Sequence, residues 1–511
     1  MSHSPTATMV AEPWGPGAPS GADPLDQLVY LSNLLGRQTR LVQPGGGNTS
    51  IKVSVPSEGG GSTEALLVKG SGTDLRTIGR AGFTRLSLAR LAPLRDAASM
   101  SDAEMMRFMA ACALGEGPAP SVETPLHSLL PHRVIAHTHD VATMSLTNVP
   151  DGTAERLVRE LFEGAILYVP YARPGFPLAH SVSEMVGRIP PNAIGLALAH
   201  HGLVIFGDDA KECHSRILKA VGKIEEYLAT CRRGRQVLGA VHRSVPAPEA
   251  RKRLAEQVLP AIRGALGGAE RVILHLDDAD DVLETLAHDR VPELVRRGVG
   301  TPEHLLRAGR LPLWLDLDLE RQGDLGADVK AQIRSQRAEY EAYHRRHAAA
   351  GEPPLDDWAK VILAPGLGIV TAFSDKKNAV TANICYRATL EAIKNAEAVE
   401  RFQFIPESDV FEFEHWPLER RKIEETLARE RATKLLPRHV VVVVGGGSGI
   451  GKAAARRFAE EGAHVVVADL DAAMAAAVAA EVGSGFPARV IGAPVDVRDE
   501  GSLDALFRQT V

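Results

Sequence analysis

Cysteine is scarce in this chain: Cys112, Cys213, Cys231 and Cys385 are scattered through 511 residues with no CxxC pair. That excludes a disulfide framework and fits a reducing cytoplasm, with each thiol serving as packing. Long apolar runs are missing too. The most hydrophobic stretches, such as HVVVVVG at 439–445, are strand-length and fall short of the eighteen or so residues a spanning helix needs. Excess positive charge is also absent, since the formal net charge is −6, and the chain has no electrostatic footprint for nucleic acid. A small molecule is the natural partner. Residues 1–23, rich in Pro, Gly, Ser and Ala, lack the apolar core of a signal peptide and read as a disordered tail. No internal repeat is visible.

What is present is enough apolar sequence, 45% of residues, for about three domains. Order is expected to begin at Asp23-Pro24, an N-cap and first-turn proline ahead of DPLDQLVYLSNLLGR. The first domain is expected over 24–240 and a mixed α/β connecting section over 241–437. In that section RVILHL and LPLWLDLDL read as strands, and ADVKAQIRSQRAEYEAYHRRHAAAG as a charged helix. His304 and Arg307, in TPEHLLRAGR, read as part of a solvated helix start. Residues 438–511 form the last region.

Histidine carries the clearest chemical signal. In RVIAHTHD, residues 133–139 read as a strand, so His137 and His139 project from one face, close enough to share an ion. A third imidazole comes from the His200-His201 pair in LALAHHGLVIFG. Three neutral nitrogen ligands leave Zn²⁺, or another divalent ion, its full charge and open positions for substrate oxygens. Upstream, PSVETPLHSLLP places Ser121 and Glu123 at a helix start marked by Pro125. QPGGGNTSIKV and VKGSGTDL add two small-residue turns where backbone N–H groups can approach an anion.

Taken in order, GGGNTS, VKGSGTDL, SVETPLH, AHTH, VPYARPGF and HHGL resemble the class II aldolase and adducin-head family over roughly residues 25–235. The resemblance implies an α/β fold, a central sheet flanked by helices, assembled as a homotetramer. It implies His137, His139 and His201 as metal ligands, His201 being preferred because it precedes the glycine. Glu123 is implied as the acid/base at the carbon of the enediolate, and Tyr171 as a proton donor to the aldehyde oxygen across a subunit interface. His127 would orient rather than react. Asn48, the Ser71-Gly72 turn and Ser121 are implied around a phosphate. Some relatives carry two serines before the glutamate; here Val122 stands in that place, leaving the contact missing or supplied by Lys52 or Lys69.

A second signal lies at 439–471, HVVVVVGGGSGIGKAAARRFAEEGAHVVVADLD, which reads as strand, glycine turn, helix, strand. Gly445, Gly449, Ile450 and Gly451 form a turn that lets a pyrophosphate approach a helix N-terminus. Asp469 lies where an acid bonds ribose hydroxyls and repels a 2′-phosphate, favouring NAD over NADP. This resembles the short-chain dehydrogenase family, with Asp496 at its adenine-contacting position. No Tyr-x-x-x-Lys pair follows, so the expectation is an incomplete Rossmann half-domain without dehydrogenase activity. The pairing resembles bifunctional rhamnulose-1-phosphate aldolase and lactaldehyde (alcohol) dehydrogenase proteins, also through APGLGIVTAFSDKKNA at 364–379. The function expected is retro-aldol cleavage of a ketose 1-phosphate, with a pentulose-phosphate 4-epimerase or a noncatalytic adducin-like assembly module as alternatives.

Overall fold

Asp23 starts the first helix, Pro24–Arg37, by accepting from the Leu25 N–H at 3.0 Å, with Pro24 in the first turn where its missing donor costs nothing. The computed structural model describes residues 13–15, 17–19, 23–56, 60–267, 271–317, 324–355, 358–417, 420, 428, 432–486 and 489–510. Most of the expected tail therefore lies outside the described residues. Trp14 is an exception. Its ring stands edge-on to Tyr30 at 4.9 Å, because an indole gives even a Pro/Gly-rich stretch apolar surface to bury.

The chain divides into two compact units. The first comprises Met1–Ala240, Glu293–Arg307 and Ile384–Val410. Its seven strands are β1 (Asn48–Pro56), β2 (Ser62–Lys69), β3 (Phe83–Ser87), β4 (Val134–Thr138), β5 (Ile166–Val169), β6 (Gly195–Leu198) and β7 (Gly202–Gly207). They lie in the order β3-β2-β1-β4-β7-β6-β5, with β5–β6 parallel and every other pair antiparallel.

Both faces of this sheet are buried. Val134, Ala136, Leu203 and Ile205 pack on one side with Leu28, Leu31 and Leu35 and with Ile217, Val221 and Ile224 of the helix Ala210–Arg232. Ile135, Val204 and Phe206 pack on the other with Leu126, Leu130, Leu178 and Val182. Each such aliphatic side chain contributes roughly 1.5–3 kcal/mol by leaving water, which locks the strand register. The consequence reaches the site. Because side chains alternate, His137 shares the face of Ile135, and that face carries the short helix Thr124–Leu129 led by Glu123.

Lys52 ties that helix down. Its ammonium donates to the carbonyls of His127 (3.2 Å), Leu130 (2.6 Å) and His132 (2.7 Å), closing the helix C-terminus where carbonyls lack partners. Burial pulls its pKa down to about 7. The hydrogen bonds commit this lysine to the scaffold.

The second unit comprises Val241–Pro292, Ala308–Asn383 and Phe411–Val511. The stretch expected as one connecting section is thus shared between the units. Residues 384–410 join the first because Arg40 pairs with Glu391 at 2.6 Å and Phe402 is fully buried. In the second unit β8 (Ile273–Asp277), β9 (Leu313–Trp314), β10 (Val361–Ala364) and β11 (Gly368–Phe373) run in the order β8-β11-β10-β9. The helices Pro248–Leu266 and Leu325–His347 supply Val258, Ile262, Val329 and Ile333 to the core of that sheet. LPLWLDLDL forms a strand only over Leu313–Trp314, and its last two residues lie outside the described residues.

Three further strands, β12 (Val440–Val444), β13 (His464–Asp469) and β14 (Val490–Pro494), form a parallel sheet. Val465 and Val467 face the helices Gly449–Glu460 and Ala472–Gly483 through Ala455, Ala459, Val478 and Val482. Val466, Ala468 and Val495 face Leu506 on the other side. No helix among the described residues is long and apolar enough to cross a membrane. The fold is α/β throughout, as the sequence patterns imply.

Candidate metal centre

Strand pairing brings the histidines together. Asn48 of β1 is the cross-strand neighbour of His137 on β4, and Thr138 pairs with Leu203 on β7. Gly202 makes the second pairing possible, since a Cβ there would drive into the Thr138 carbonyl oxygen. The glycine after His201 is therefore a packing requirement that delivers His201 to the end of β4. His139 lies one residue beyond β4, just before Asp140, which caps the helix Val141–Thr147 by accepting from the Thr143 N–H at 2.7 Å.

His200 and His201 occupy a tight turn between β6 and β7 rather than a strand. His200 has φ +55°, and this left-handed step sends the two rings apart. His201 turns into the cluster. His200 bonds the Gly300 carbonyl through Nδ1 at 3.1 Å and meets Tyr171 edge-on at 5.5 Å.

Four side chains converge: Glu123, His137, His139 and His201, each offering a ligand atom within 4.8 Å of the others. His137 Nε2 lies 3.0 Å from His139 Nε2 and 3.3 Å from His201 Nε2. Glu123 Oε1 lies 3.0 Å from His201 Nε2, 3.3 Å from His137 Nε2 and 3.9 Å from His139 Nε2. A tetrahedron with metal–ligand bonds of about 2.0–2.1 Å has edges of roughly 3.3 Å, so these separations suit one small divalent ion. The His137 Nδ1–H donates to the Leu203 carbonyl at 3.1 Å, which leaves the Nε2 lone pair facing the cluster. Lone pairs gathered this closely repel unless a cation lies between them. The donor set fits a divalent metal.

The electrostatics agree. Burial raises the Glu123 pKa, but His137 and the hydrogen bonds from all three imidazoles outweigh it and hold the carboxyl well below its usual range. Burial pushes His201 down to about 4 and His127 to about 3, so both rings stay neutral. His127 accepts from or donates to Ser50 Oγ at 2.7 Å, beneath the helix that Glu123 leads.

Two of the expected phosphate residues are in contact, and a third runs alongside. Asn48 Nδ2 donates to Ser121 Oγ at 3.0 Å and reaches Glu123 Oε2 at 3.5 Å. A bridge between Gly70 and Pro120, with the Ser71 N–H donating to Ala119 at 2.7 Å, holds the Ser71-Gly72 turn beside Ser121. Gly72 has φ +78° and open space above it. Val122 packs against the core cluster of Leu66, Val68 and Phe176.

The reading of TPEHLLRAGR as solvated does not hold. Thr301 and His304 are 3% and 1% exposed, and Glu303 Oε1 accepts from Arg307 Nε at 2.8 Å. His304 bonds Thr389 Oγ1 at 2.8 Å and approaches Gln43 at 3.5 Å, fixing this helix, Pro302–Ala308, beside the glycine loop. The three glycines at 45–47 were the available signal that something approaches closely.

In the second unit, Gly445 has φ +72°, and a Cβ on Gly451 would strike the Gly445 carbonyl oxygen, so turn and helix meet only with glycine there. Gly449 (φ +51°) faces open space and Ile450 is 91% exposed. Asp469 Oδ2 accepts from the Gly447 N–H at 2.9 Å, placing its carboxylate against the turn. This cradle suits a dinucleotide pyrophosphate. Asp496 is engaged by Arg498 through two side-chain hydrogen bonds of 2.7 and 2.9 Å.

Comparison with known proteins separates three regions. Residues 26–226 match the class II aldolase and adducin N-terminal domain, 253–423 the class II aldolase second domain, and 439–511 the short chain dehydrogenase. The uncharacterized oxidoreductase YuxG of Bacillus subtilis is 34% identical over 490 residues, 95% of this chain and 70% of that protein. The short-chain dehydrogenase fogB of Aspergillus ruber is 52% identical over 73 residues, which span 14% of this chain and 27% of the relative. Among solved structures, the N-terminal class II aldolase domain of a conserved Thermoplasma acidophilum protein is 32% identical, covers 41% of this chain and 96% of its own, and has a TM-score of 0.38. Domains of these types imply a divalent metal ion and a nicotinamide dinucleotide. The chain belongs to the family in which a class II aldolase/adducin-type domain and its second domain are joined to a short-chain dehydrogenase.

Proposed function

We propose that the first unit cleaves a ketose 1-phosphate, rhamnulose 1-phosphate being the leading candidate, into dihydroxyacetone phosphate and lactaldehyde. The observation that carries this reading is the convergence of three imidazoles and one carboxylate at separations suited to a single ion. A divalent cation bound there supplies Lewis acidity toward the substrate carbonyl and its neighbouring hydroxyl. His137, His139 and His201 hold it. Asn48, Ser71, Gly72 and Ser121 receive the phosphate.

In the cleavage direction the C3–C4 bond breaks, its electron pair passes to C3 as an enediolate, and the C4 hydroxyl proton passes by way of Tyr171 to solvent. Glu123, having taken up a proton from solvent, delivers it to C3, and in condensation it removes that same proton and returns it to solvent. Tyr171 serves the aldehyde oxygen, donating in condensation and accepting in cleavage. In the assembled homotetramer it would act on a neighbouring subunit's site. Incubation with rhamnulose 1-phosphate is expected to release dihydroxyacetone phosphate, with release abolished by chelator and restored by Zn²⁺. Formation of an epimeric ketose phosphate without cleavage would contradict the lyase assignment.

For the second unit we infer NAD as the dinucleotide. The support is that Asp469 ends β13 with its carboxylate at the glycine turn; an acid there would bond ribose hydroxyls and repel a 2′-phosphate. NADH is expected to bind at least about ten-fold more tightly than NADPH in fluorescence titration, and equal affinities would count against it.

A further inference from the structure

The glycine loop is gripped from both sides. A Cβ on Gly46 would lie 2.7 Å from His139 Nδ1, and a Cβ on Gly45 would lie 2.8 Å from Arg307 Nη2. Adjacent glycines thus separate a metal-ligand candidate from a guanidinium that the helix Pro302–Ala308 delivers. The Gly45 N–H donates to Asp74 Oδ2 at 3.0 Å, which fastens the same loop to VKGSGTDL, the segment holding Lys69, Ser71 and Gly72.

Lys69 is 5% exposed and lies within electrostatic reach of Glu123, Glu303, Asp74 and Arg307. Among the described residues its ammonium makes no hydrogen bond, in contrast to Lys52, which is fully used by three carbonyls. Val122 faces the core, so no polar side chain comes from the position where relatives have a serine. Glu303 Oε1 accepts from Arg307 Nε at 2.8 Å, and the Arg307 side chain is 34% exposed. A guanidinium with that access matches the fork geometry of a phosphate.

We propose that Arg307 is a substrate-binding residue that, with Lys69, holds the phosphate of the ketose phosphate, so that a helix outside the N-terminal domain completes the anion site. This rests on the aldolase reading above and adds a specificity residue to it.

The test is binding of dihydroxyacetone phosphate and of unphosphorylated dihydroxyacetone to the metal-loaded full chain by calorimetry. Arg307→Gln is expected to weaken dihydroxyacetone phosphate roughly ten- to a hundred-fold, with dihydroxyacetone and metal content unchanged. Arg307→Lys should recover part of the loss. Because Arg307→Gln leaves Glu303 uncompensated, the double variant Arg307→Gln/Glu303→Gln provides a charge-balanced second protein expected to show the same selective loss. Wild-type affinity for dihydroxyacetone phosphate in either folded variant, or an equal loss for both ligands, overturns the role of Arg307. Failure of the metal-loaded wild type itself to bind dihydroxyacetone phosphate overturns the aldolase reading, and this assignment with it.

Discussion

Glu123→Gln is expected to keep its divalent ion and lose about 10²- to 10⁴-fold in turnover, the usual worth of a positioned acid/base. The substitution preserves shape. The amide can still accept from Asn48, which lies 3.0 Å from Ser121 and 3.5 Å from Glu123 Oε2, so the helix start should not move. What it loses is the ability to take up and return a proton at the substrate carbon. The three imidazoles remain, and three nitrogen ligands are enough for a catalytic zinc site. Steady-state turnover of rhamnulose 1-phosphate, paired with metal analysis of the same sample, separates the two roles. Near-normal turnover would rule out proton transfer by Glu123, and loss of the ion would make it chiefly a ligand.

His139→Ala is expected to remove both the metal and the activity. His139 Nε2 stands 3.0 Å from His137 Nε2, and its ring packs against the Gly46 backbone. Two imidazoles and a carboxylate would remain, one of them the group needed for proton transfer. A ligand that binds only the native state stabilises it in proportion to the logarithm of its concentration over Kd. Added Zn²⁺ should therefore raise the melting temperature of the wild type and leave that of His139→Ala unchanged. An equal rise in both proteins would place the ion elsewhere.

The convergence of the three histidines is legible because its parts carry local signals: alternation puts His137 and His139 on one face, and the glycine after His201 marks a close approach. The choice between His200 and His201, made in sequence by the glycine that follows His201, has a backbone cause that no motif displays. The left-handed backbone at His200 separates the rings within a turn. Lys52 was read as a phosphate candidate because an alternating strand pattern does not reveal that helix-end carbonyls wait beside it. His304 and Arg307 read as solvated from sequence because TPEHLLRAGR is polar and far along the chain from GGGNTS. Only tertiary packing shows the glycines of that loop making room for Arg307 on one side and His139 on the other. Trp14 shows the same limit in miniature, since composition marked its surroundings as a tail and one aromatic ring anchors it to Tyr30.

X-ray absorption at the edge of the metal that copurifies with the wild-type protein measures the stoichiometry and ligand types of the centre directly. Three imidazole nitrogens with one or more oxygens around about one equivalent of a divalent ion is the result expected from His137, His139, His201 and Glu123. Sulfur ligands, fewer than three imidazoles, or a protein that takes up no ion when supplied with Zn²⁺ would contradict it.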